Sequence, residues 1–366
     1  KDGKSSKDGK SSKDGKSSKG SNQKKGKKAN TDTNAVGLVE HLAYFSNPAF
    51  DPMGFTRKYP TSVVVDSQDN IYMAMNTGRE ILKWSQDGTL TTVVENLPGS
   101  SPEDCEAFSV SNGFPFTLPN TSPTAITFGD DENIMYALVN LCIEEDERNG
   151  VYKIDLSTGS FEIVTGIPRF DGKGISATGD PDIWNGLDYH NGNIYVTNSF
   201  YGEVWCAPAD GSDVATLWSA DPLVNLYPTI EGANGILYHD GAIYVSNSGT
   251  GNVVKLGLPE GDGCGAAVSA VVHADIGVGC DEFAFAEDGT IFCGNILNGV
   301  YRWKEGEGQG TLILDRDNYF FDVTNSVAFG KADKNQIYIV NSGIFLFNGI
   351  APSLVRVQVA ETGYSY

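Results

Sequence analysis

The sequence predicts an all-β fold, a six-bladed β-propeller of four-stranded antiparallel blades, and three observations predict it. One unit of short apolar strands and polar turns occurs six times, at intervals of about 45 to 63 residues. In every unit the second strand ends in Asn, and a Gly follows before the third strand begins. Gly is abundant, with 43 among 366 residues, whereas helical periodicity is hard to find. Repeats of this length and strand content are typical of propeller blades.

The elements of the units follow in a fixed order. The opening strands begin at Thr61, Thr124, Asn185, Asn234, Asp281 and Asn325, and the second strands end at Asn76, Asn140, Asn198, Asn247, Asn295 and Asn341. Third strands fall near 78–84, 150–154, 202–205, 251–255, 299–303 and 354–358, and fourth strands near 90–94, 161–165, 215–218, 268–273 and 311–314. The sixth unit shows no fourth strand of its own, so we expect Val39–Phe45 to complete it and close the ring, which removes exposed sheet edges. The repeated Asn is interpreted as structural, because its side chain can satisfy backbone groups of the following loop.

The N-terminal segment 1–34 differs in composition from the propeller region 35–366. It contains three copies of Lys-Asp-Gly-Lys-Ser-Ser and carries eleven Lys against four Asp, a net charge of +7. It has no aliphatic or aromatic residue before Ala29. Such a segment cannot bury enough surface to offset its ordering entropy, so we predict a disordered tail.

The charge of the propeller region excludes several classes of function. Its 332 residues carry 15 basic and 43 acidic side chains, a net charge of −28. Nucleic acids and anionic membrane surfaces attract proteins through Lys and Arg, so we exclude a nucleic-acid-binding propeller. No run approaches 18 apolar residues, so no membrane span is predicted. Because the chain begins with Lys rather than Met, we expect a trimmed product that is secreted or lumenal.

The opening strand of each propeller blade lines a central channel, so the six opening positions are expected to converge at one end of it. Four of them offer amide or carboxylate oxygens, namely Asn185, Asn234, Asp281 and Asn325, and Glu282 follows Asp281 directly. Oxygen ligands in this number suit a hard cation such as Ca²⁺. The alternative is that these residues only cap loops around a water-filled channel. In either case the channel mouth is the expected binding place for a small-molecule ligand or substrate.

These positions also carry a family resemblance. Asn185-Gly-Leu-Asp-Tyr, Ala233-Asn-Gly-Ile and Asp281 resemble the successive channel motifs of the SMP-30/gluconolactonase family and of the paraoxonases. Those families are six-bladed propellers with calcium-dependent lactonase or esterase activity. The resemblance implies a metal held by Asn185, Asn234 and Asp281, with Asn325 as a further ligand. It also implies that Asp281 or Glu282 assists water attack as the general base.

The chain departs from the family pattern at two points. Thr61 stands where the family has a Glu on the metal, which lowers the number of carboxylates and puts metal affinity and activity in question. None of the four histidines, His41, His190, His239 and His273, occupies a position that suggests catalysis. The related strictosidine-synthase-like propellers share the fold without a metal.

The tail resembles the lysine-rich repeats of silaffins, the silica-associated proteins of diatoms, in its Lys pairs interleaved with Ser. That resemblance implies binding to a polyanion or a mineral surface. A solvated linker or processing remnant is the alternative.

The six cysteines allow disulfides without requiring them. The loops that hold Cys105 and Cys142 should emerge on the same face, so this pair could bridge. Cys206 and Cys264 are the weaker pair, on neighbouring blades. Cys280 and Cys293 lie on adjacent strands but are expected to be offset, and buried free thiols are the alternative.

Two functions of different classes remain open from the sequence. One is a metal-dependent hydrolase of lactones or related esters, with a divalent cation, Ca²⁺ first, in the channel. The other is a non-enzymatic ligand-binding or matrix protein, tethered through its lysine-rich tail to a mineral or polyanion.

Overall fold

The computed structural model describes residues 36–45, 58–100, 122–141, 148–166, 184–225, 232–261, 263–277, 279–343 and 351–364. These residues form six four-stranded antiparallel sheets, which confirms the predicted six-bladed propeller. In chain order, β1 is Val36–Tyr44. Blade one holds β2 Tyr59–Val65, β3 Ile71–Asn76, β4 Glu80–Trp84 and β5 Leu90–Val94. Blade two holds β6 Ala125–Phe128, β7 Ile134–Val139, β8 Gly150–Asp155 and β9 Ser160–Gly166.

The remaining blades continue the same pattern. Blade three holds β10 Trp184–His190, β11 Asn193–Asn198, β12 Glu203–Pro208 and β13 Thr216–Ser219. Blade four holds β14 Ala233–His239, β15 Ala242–Asn247, β16 Asn252–Gly257 and β17 Ser269–Asp275. Blade five holds β18 Cys280–Phe285, β19 Ile291–Asn295, β20 Gly299–Trp303 and β21 Thr311–Asp315, followed by the short helix α1, Arg316–Tyr319. Blade six holds β22 Thr324–Phe329, β23 Gln336–Asn341 and β24 Ser353–Val359.

The ring closes through the N-terminal strand. β1 pairs antiparallel with β24, with Val39 opposite Val357 and His41 opposite Val355, so the last blade combines three C-terminal strands with one N-terminal strand. The inner strands β2, β6, β10, β14, β18 and β22 contact one another consecutively, and β22 contacts β2. A closed circle of inner strands therefore encloses the central channel.

The hydrophobic core lies between neighbouring blades. Between blades one and two, for example, Tyr72 and Ile81 pack with Ile126 and Met135, and each of these side chains is at most 6% exposed. The alternation of strand side chains explains this arrangement, because each blade must bury both faces against its two neighbours. Burial of this kind orients every inner strand relative to the next.

The Asn that ends each second strand has the structural role that the sequence predicts. The Asn247 side chain donates to the carbonyl oxygens of Leu223 and Asn225, both at 3.0 Å. Asn295 Oδ1 accepts hydrogen bonds from the backbone N–H groups of Leu297 and Asn298. The amide thus satisfies backbone groups of the adjoining loops.

All four cysteines within the described residues form disulfides, Cys206 with Cys264 and Cys280 with Cys293. Cys280 and Cys293 are offset in register, as expected, and nevertheless form a disulfide, so the alternative of free thiols is wrong for these four residues. A bulge in β18 places Cys280 opposite Asn295, diagonal to Cys293 on the same face of the sheet, with 5.9 Å between their Cα atoms. Cys105 and Cys142 lie outside the described residues.

No helix in the described ranges is long and apolar enough to cross a membrane. The tail, residues 1–34, lies outside the described residues, so its disorder and its binding to a polyanion or mineral stay predictions.

Two inner-strand glycines allow the closest approach of neighbouring blades. A Cβ atom on Gly186 would lie 2.3 Å from Asn234 O, and one on Gly235 would lie 2.6 Å from Asp281 O. Contacts this short between a side chain and fixed backbone force the strands apart.

We therefore expect Gly186→Ala and Gly235→Ala each to lower the free energy of unfolding by about 1–3 kcal/mol, because overpacking displaces the inner strands. The measurement is the urea midpoint of unfolding followed by circular dichroism. Gly265→Ala is the matched control, since its Cβ would meet only Pro259 at 3.4 Å. Equal stability of all three variants would contradict the tight inter-blade contact.

Candidate functional site

Five of the six predicted channel residues occupy one repeated feature, a β-bulge near the start of the inner strand. The strands β2, β10, β14, β18 and β22 each gain one residue relative to the partner strand at this point. The bulges contain Thr61, Asn185, Asn234, Asp281 and Asn325. A bulge bends the strand and re-aims its side chain, so equivalent bulges present these side chains at the same end of the channel. We call this the N-terminal end, because the inner strands begin there.

Hydroxyl groups of the residues that directly follow the second strands of blades three and four fix the orientation of two of the amides. Ser248 Oγ donates its single proton to Cys280 O at 2.7 Å, so it must accept from Asn234 Nδ2, which lies 2.9 Å away. In the same way Ser199 Oγ donates to Ala233 O and accepts from Asn185 Nδ2. A serine hydroxyl has one proton to donate. Each Asn therefore turns its Nδ2 toward its own blade and its carbonyl oxygen away.

The remaining two predicted ligands contact each other directly. Asn325 Nδ2 donates to Asp281 Oδ2 at 3.2 Å, and Asp281 is only 5% exposed. Asn325 Oδ1 and Asn234 Oδ1 are buried and have no hydrogen-bond partner among the described residues. Buried polar atoms are almost always paired, so these two carbonyl oxygens in equivalent bulges call for a partner beyond those residues.

Asn185, Asn234, Asp281 and Asn325, the amide–carboxylate cluster, therefore fit a hard cation in donor type. The cluster supplies three neutral oxygens and one carboxylate, as Ca²⁺ accepts, with water completing the shell. No group of three or more His, Cys, Asp or Glu side chains suited to a metal occurs within the described ranges. Thr61 is uncharged and adds no carboxylate to the cluster. Its hydroxyl donates to Pro123 O at 3.2 Å. Thr124 likewise turns its hydroxyl to Leu138 O.

Glu282 lies in a different layer of the channel from Asp281, although the two are adjacent in sequence. Its carboxyl group accepts hydrogen bonds from the hydroxyls of Ser326 and Ser62, which belong to β22 and β2. It lines the interior cavity, whereas Asp281 does not. The structure therefore separates the two residues that the sequence groups as candidate bases.

Asp188 in β10 is the second carboxyl group that lines this cavity. Its oxygens accept from Tyr238 N and from the Thr127 hydroxyl, the latter at 3.3 Å. Burial raises its pKa to about 7 despite these hydrogen bonds. Burial also raises the pKa of Glu282 to about 7, and the nearby charge of Asp188 adds to that rise. We call Asp188 and Glu282 the carboxyl pair.

A cavity of about 500 Å³ contains the carboxyl pair and continues toward the C-terminal end of the inner strands. Its wall is mainly apolar and includes Ile126, Leu187, Ile236 and Phe283. At its outer end it reaches the exposed residue Asp130. The channel thus has two polar layers, the amide–carboxylate cluster at its N-terminal end and the carboxyl pair within an apolar tube.

Sequence reasoning missed Asp188 and the hydroxyls of Ser62, Thr127 and Ser326. Asp188 lies inside the motif Asn185-Gly-Leu-Asp-Tyr, and a carboxylate within a strand that lines the channel was the available signal. The hydroxyl residues carried no comparable signal, because Ser and Thr are common on strands of any role.

Two of the histidines, which the sequence excludes from catalysis, stack on aromatic rings. His239 packs on Phe285 with 3.9 Å between ring centroids, and burial lowers its pKa to about 4. His190 stacks on Tyr238 at 3.5 Å and lines the outer part of the cavity. Neither ring contributes to the amide–carboxylate cluster.

Comparison with known proteins relates the chain to solved propellers by fold alone. No sequence model of a protein family matches it, and no curated protein matches it significantly. A luciferin-regenerating enzyme aligns over 90% of this chain and 97% of its own, at a TM-score of 0.59 and 11% identity. A gluconolactonase from Xanthomonas campestris aligns over 88% and 98%, with a TM-score of 0.54 and 13% identity. Regucalcin from Agrobacterium tumefaciens, a calcium-binding protein, aligns over 84% and 92%, again with a TM-score of 0.54 and 13% identity.

The carboxyl pair makes stability depend on pH near neutrality. A carboxyl group whose pKa is raised by folding stabilises the fold below its unfolded pKa, and this contribution is lost as pH rises through the folded pKa. Raising the Asp188 pKa from 3.8 to about 7 means that folding disfavours the ionised carboxylate, relative to the protonated form, by about 4 kcal/mol. We therefore expect the melting temperature of Asp188→Asn, relative to that of the wild type, to increase as the pH rises from 5 to 8.

The measurement is thermal unfolding at pH 5, 6, 7 and 8 at constant ionic strength. Asp131→Asn, which removes an exposed carboxylate outside the cavity, is the matched control. A constant difference between Asp188→Asn and the wild type over this range would show that Asp188 does not titrate there.

Proposed function

We propose that the amide–carboxylate cluster binds a divalent cation, Ca²⁺ in the first place, and that the protein hydrolyses lactones or related esters at this end of the channel. The observation that carries the proposal is a pair of buried carbonyl oxygens, Asn234 Oδ1 and Asn325 Oδ1, to which no described residue donates a hydrogen bond and which lie in bulges equivalent to that of the Asp281 carboxylate. The likeness of the fold to a gluconolactonase and to the calcium-binding regucalcin supports the same class of chemistry.

A bound divalent cation would act as a Lewis acid on a substrate carbonyl. The residues of the chain would supply the remaining functions. Asn185 and Asn234 present carbonyl oxygens whose direction the serine hydroxyls fix, so the ligands need no rearrangement. Glu282, with a pKa of about 7, is half ionised near neutral pH and suits the role of a general base. Asp281 carries the negative charge of the cluster and is the second candidate base.

The donor set predicts modest affinity. Because Thr61 contributes no carboxylate, a single negative charge balances the cation, and calcium sites of low charge count bind at about 10⁻⁴–10⁻³ M. Such a site suits a compartment rich in calcium. The two disulfides support secretion or a lumenal location, because disulfides persist in oxidising compartments.

The second candidate is a non-enzymatic binding or matrix protein held by its lysine-rich tail. The specific observation in its favour is Thr61, whose hydroxyl is engaged with backbone where the resembling families have a carboxylate. The interaction of the tail with a mineral or polyanion stays a prediction.

Calcium titration tests the cation site. We expect a saturable rise in melting temperature for the wild type, because a ligand that binds only the native state stabilises it, by about 1.4 kcal/mol at ten times the dissociation constant. Asp281→Asn, which keeps the side-chain volume and removes the charge, should lose most of this rise. The exposed Glu260→Gln is the control variant, and sodium chloride of equal ionic strength is the control salt. An equal shift in Asp281→Asn, or none at 10 mM calcium (about tenfold above the expected range), would refute the cation site.

Hydrolysis of five- and six-membered lactones and of phenyl acetate, with and without chelator, tests the enzymatic proposal. We expect calcium-dependent turnover that falls at least about 100-fold in Asp281→Asn, since the cluster would lose both its charge and its cation. Saturable calcium binding without any hydrolysis would favour the non-enzymatic candidate.

A further inference from the structure

We propose that the cavity beneath the amide–carboxylate cluster is a second binding site, which takes a small organic cation with its ammonium group between Asp188 and Glu282 and its apolar body against the channel wall. This site lies in a different layer from the proposed cation site. It shares Glu282, a candidate base of the proposed hydrolysis, and adds Asp188, which that hydrolysis does not require.

The dimensions of the cavity suit a small molecule. Its volume of about 500 Å³ falls within the range of typical ligand pockets, roughly 300–1,000 Å³. The wall combines apolar side chains, among them Val63, Ile126 and Phe283, with polar groups that include the carboxyl pair. Apolar surface together with convergent polar groups is the usual form of a small-molecule site.

The carboxyl pair lacks a positive partner from the protein. The only basic side chains among the described residues of the wall are His190 and Lys331. Lys331 Nζ pairs with Glu132 at 3.0 Å and lies 5.4 Å above the Phe128 ring, so its charge is already compensated. Two buried carboxyl groups without a cation cannot both ionise cheaply, and a positively charged ligand would relieve that cost.

The outer part of the cavity favours the entry of cations. Asp130 and Glu132 add negative charge there, and the acidic protein as a whole attracts cations toward it. The aromatic rings of Phe128, Tyr189 and Tyr238 line the same part, and aromatic faces attract cations. The other titratable groups of the wall are His190 and Tyr364. Among these groups, Lys331 is the one whose charge would repel a positive ligand, and its ion pair with Glu132 compensates that charge.

The chemistry of the wall favours an organic cation over a metal ion. Asp188 already accepts hydrogen bonds from Tyr238 N and the Thr127 hydroxyl, and Glu282 from Ser62 and Ser326. Calcium requires six to eight oxygen ligands, and the surrounding wall is mainly apolar. An ammonium group needs only three acceptors, and the apolar wall accommodates the hydrocarbon attached to it.

The probe for the test is 2-phenylethylamine, and its neutral counterpart of similar size and shape is 2-phenylethanol. Titration calorimetry on the full chain at pH 7.5 should show one saturable site for the amine, with at least tenfold weaker binding of the alcohol. The affinity for the amine should rise about tenfold from pH 6 to pH 8, because Asp188, whose pKa burial raises to about 7, ionises there while an alkylammonium stays protonated. Binding should release protons, which the dependence of the heat on buffer ionisation reports.

Variants separate this site from the proposed cation site. Asp188→Asn should weaken amine binding at least tenfold, Asp131→Asn should not change it, and Asp281→Asn should remove calcium stabilisation while leaving amine binding intact. If Asp188→Asn does not fold, two other measurements replace it. Glu282→Gln should weaken amine binding, and the wild type should release protons when the amine binds. Equal binding of amine and alcohol, affinity that does not change with pH, or full binding by Asp188→Asn would overturn the proposal. Displacement of the amine by calcium in Asp281→Asn would overturn it in favour of a metal in the cavity.

Discussion

The contact between the second strand of one blade and the inner-strand bulge of the next is the constraint on which the channel depends. Thr197 and Ser246 donate to the bulge carbonyls of Asn234 and Asp281, and each also accepts from the bulge of its own blade. Gly186 and Gly235 leave the space that these contacts need. One set of hydrogen bonds therefore joins blades three, four and five and sets the direction of the side chains that the bulges present.

This constraint explains why the channel has two layers of different chemistry. The bulge adds one residue, so Cys280 turns to the face that it shares with Cys293, while Asp281 and Glu282 enter the channel at different depths. At the N-terminal end the bulges gather amide oxygens beside one carboxylate. Farther along, Glu282 from the bulge of β18 and Asp188 from the regular part of β10 enter a cavity where burial raises their pKa values.

The fold comparisons and the site chemistry answer different questions. Solved propellers at 11–13% identity share the architecture over most of the chain, which fixes the channel but not what occurs in it. The local chemistry of this chain differs from the families that it resembles at Thr61, which bonds to backbone rather than offering a carboxylate. The proposed functions therefore rest on the Asn234 and Asn325 carbonyl oxygens, which have no partner among the described residues, and on the carboxyl pair rather than on the number of blades.

The sequence by itself determined the number of blades, the order of their strands, the structural role of the Asn residues and the positions that begin the inner strands, because these features repeat and each repeat carries the same local signals. Only the tertiary structure decided which neighbours share a layer. Asp281 and Glu282 are adjacent in sequence but separate in the channel, whereas Asp188 and Glu282 belong to different blades and act on each other. The physical reason is that a bulge shifts the register by one residue and so changes which way the following side chains point, while the burial of a side chain depends on the whole ring of six strands. Neither the register shift nor the burial can be predicted from a single repeat.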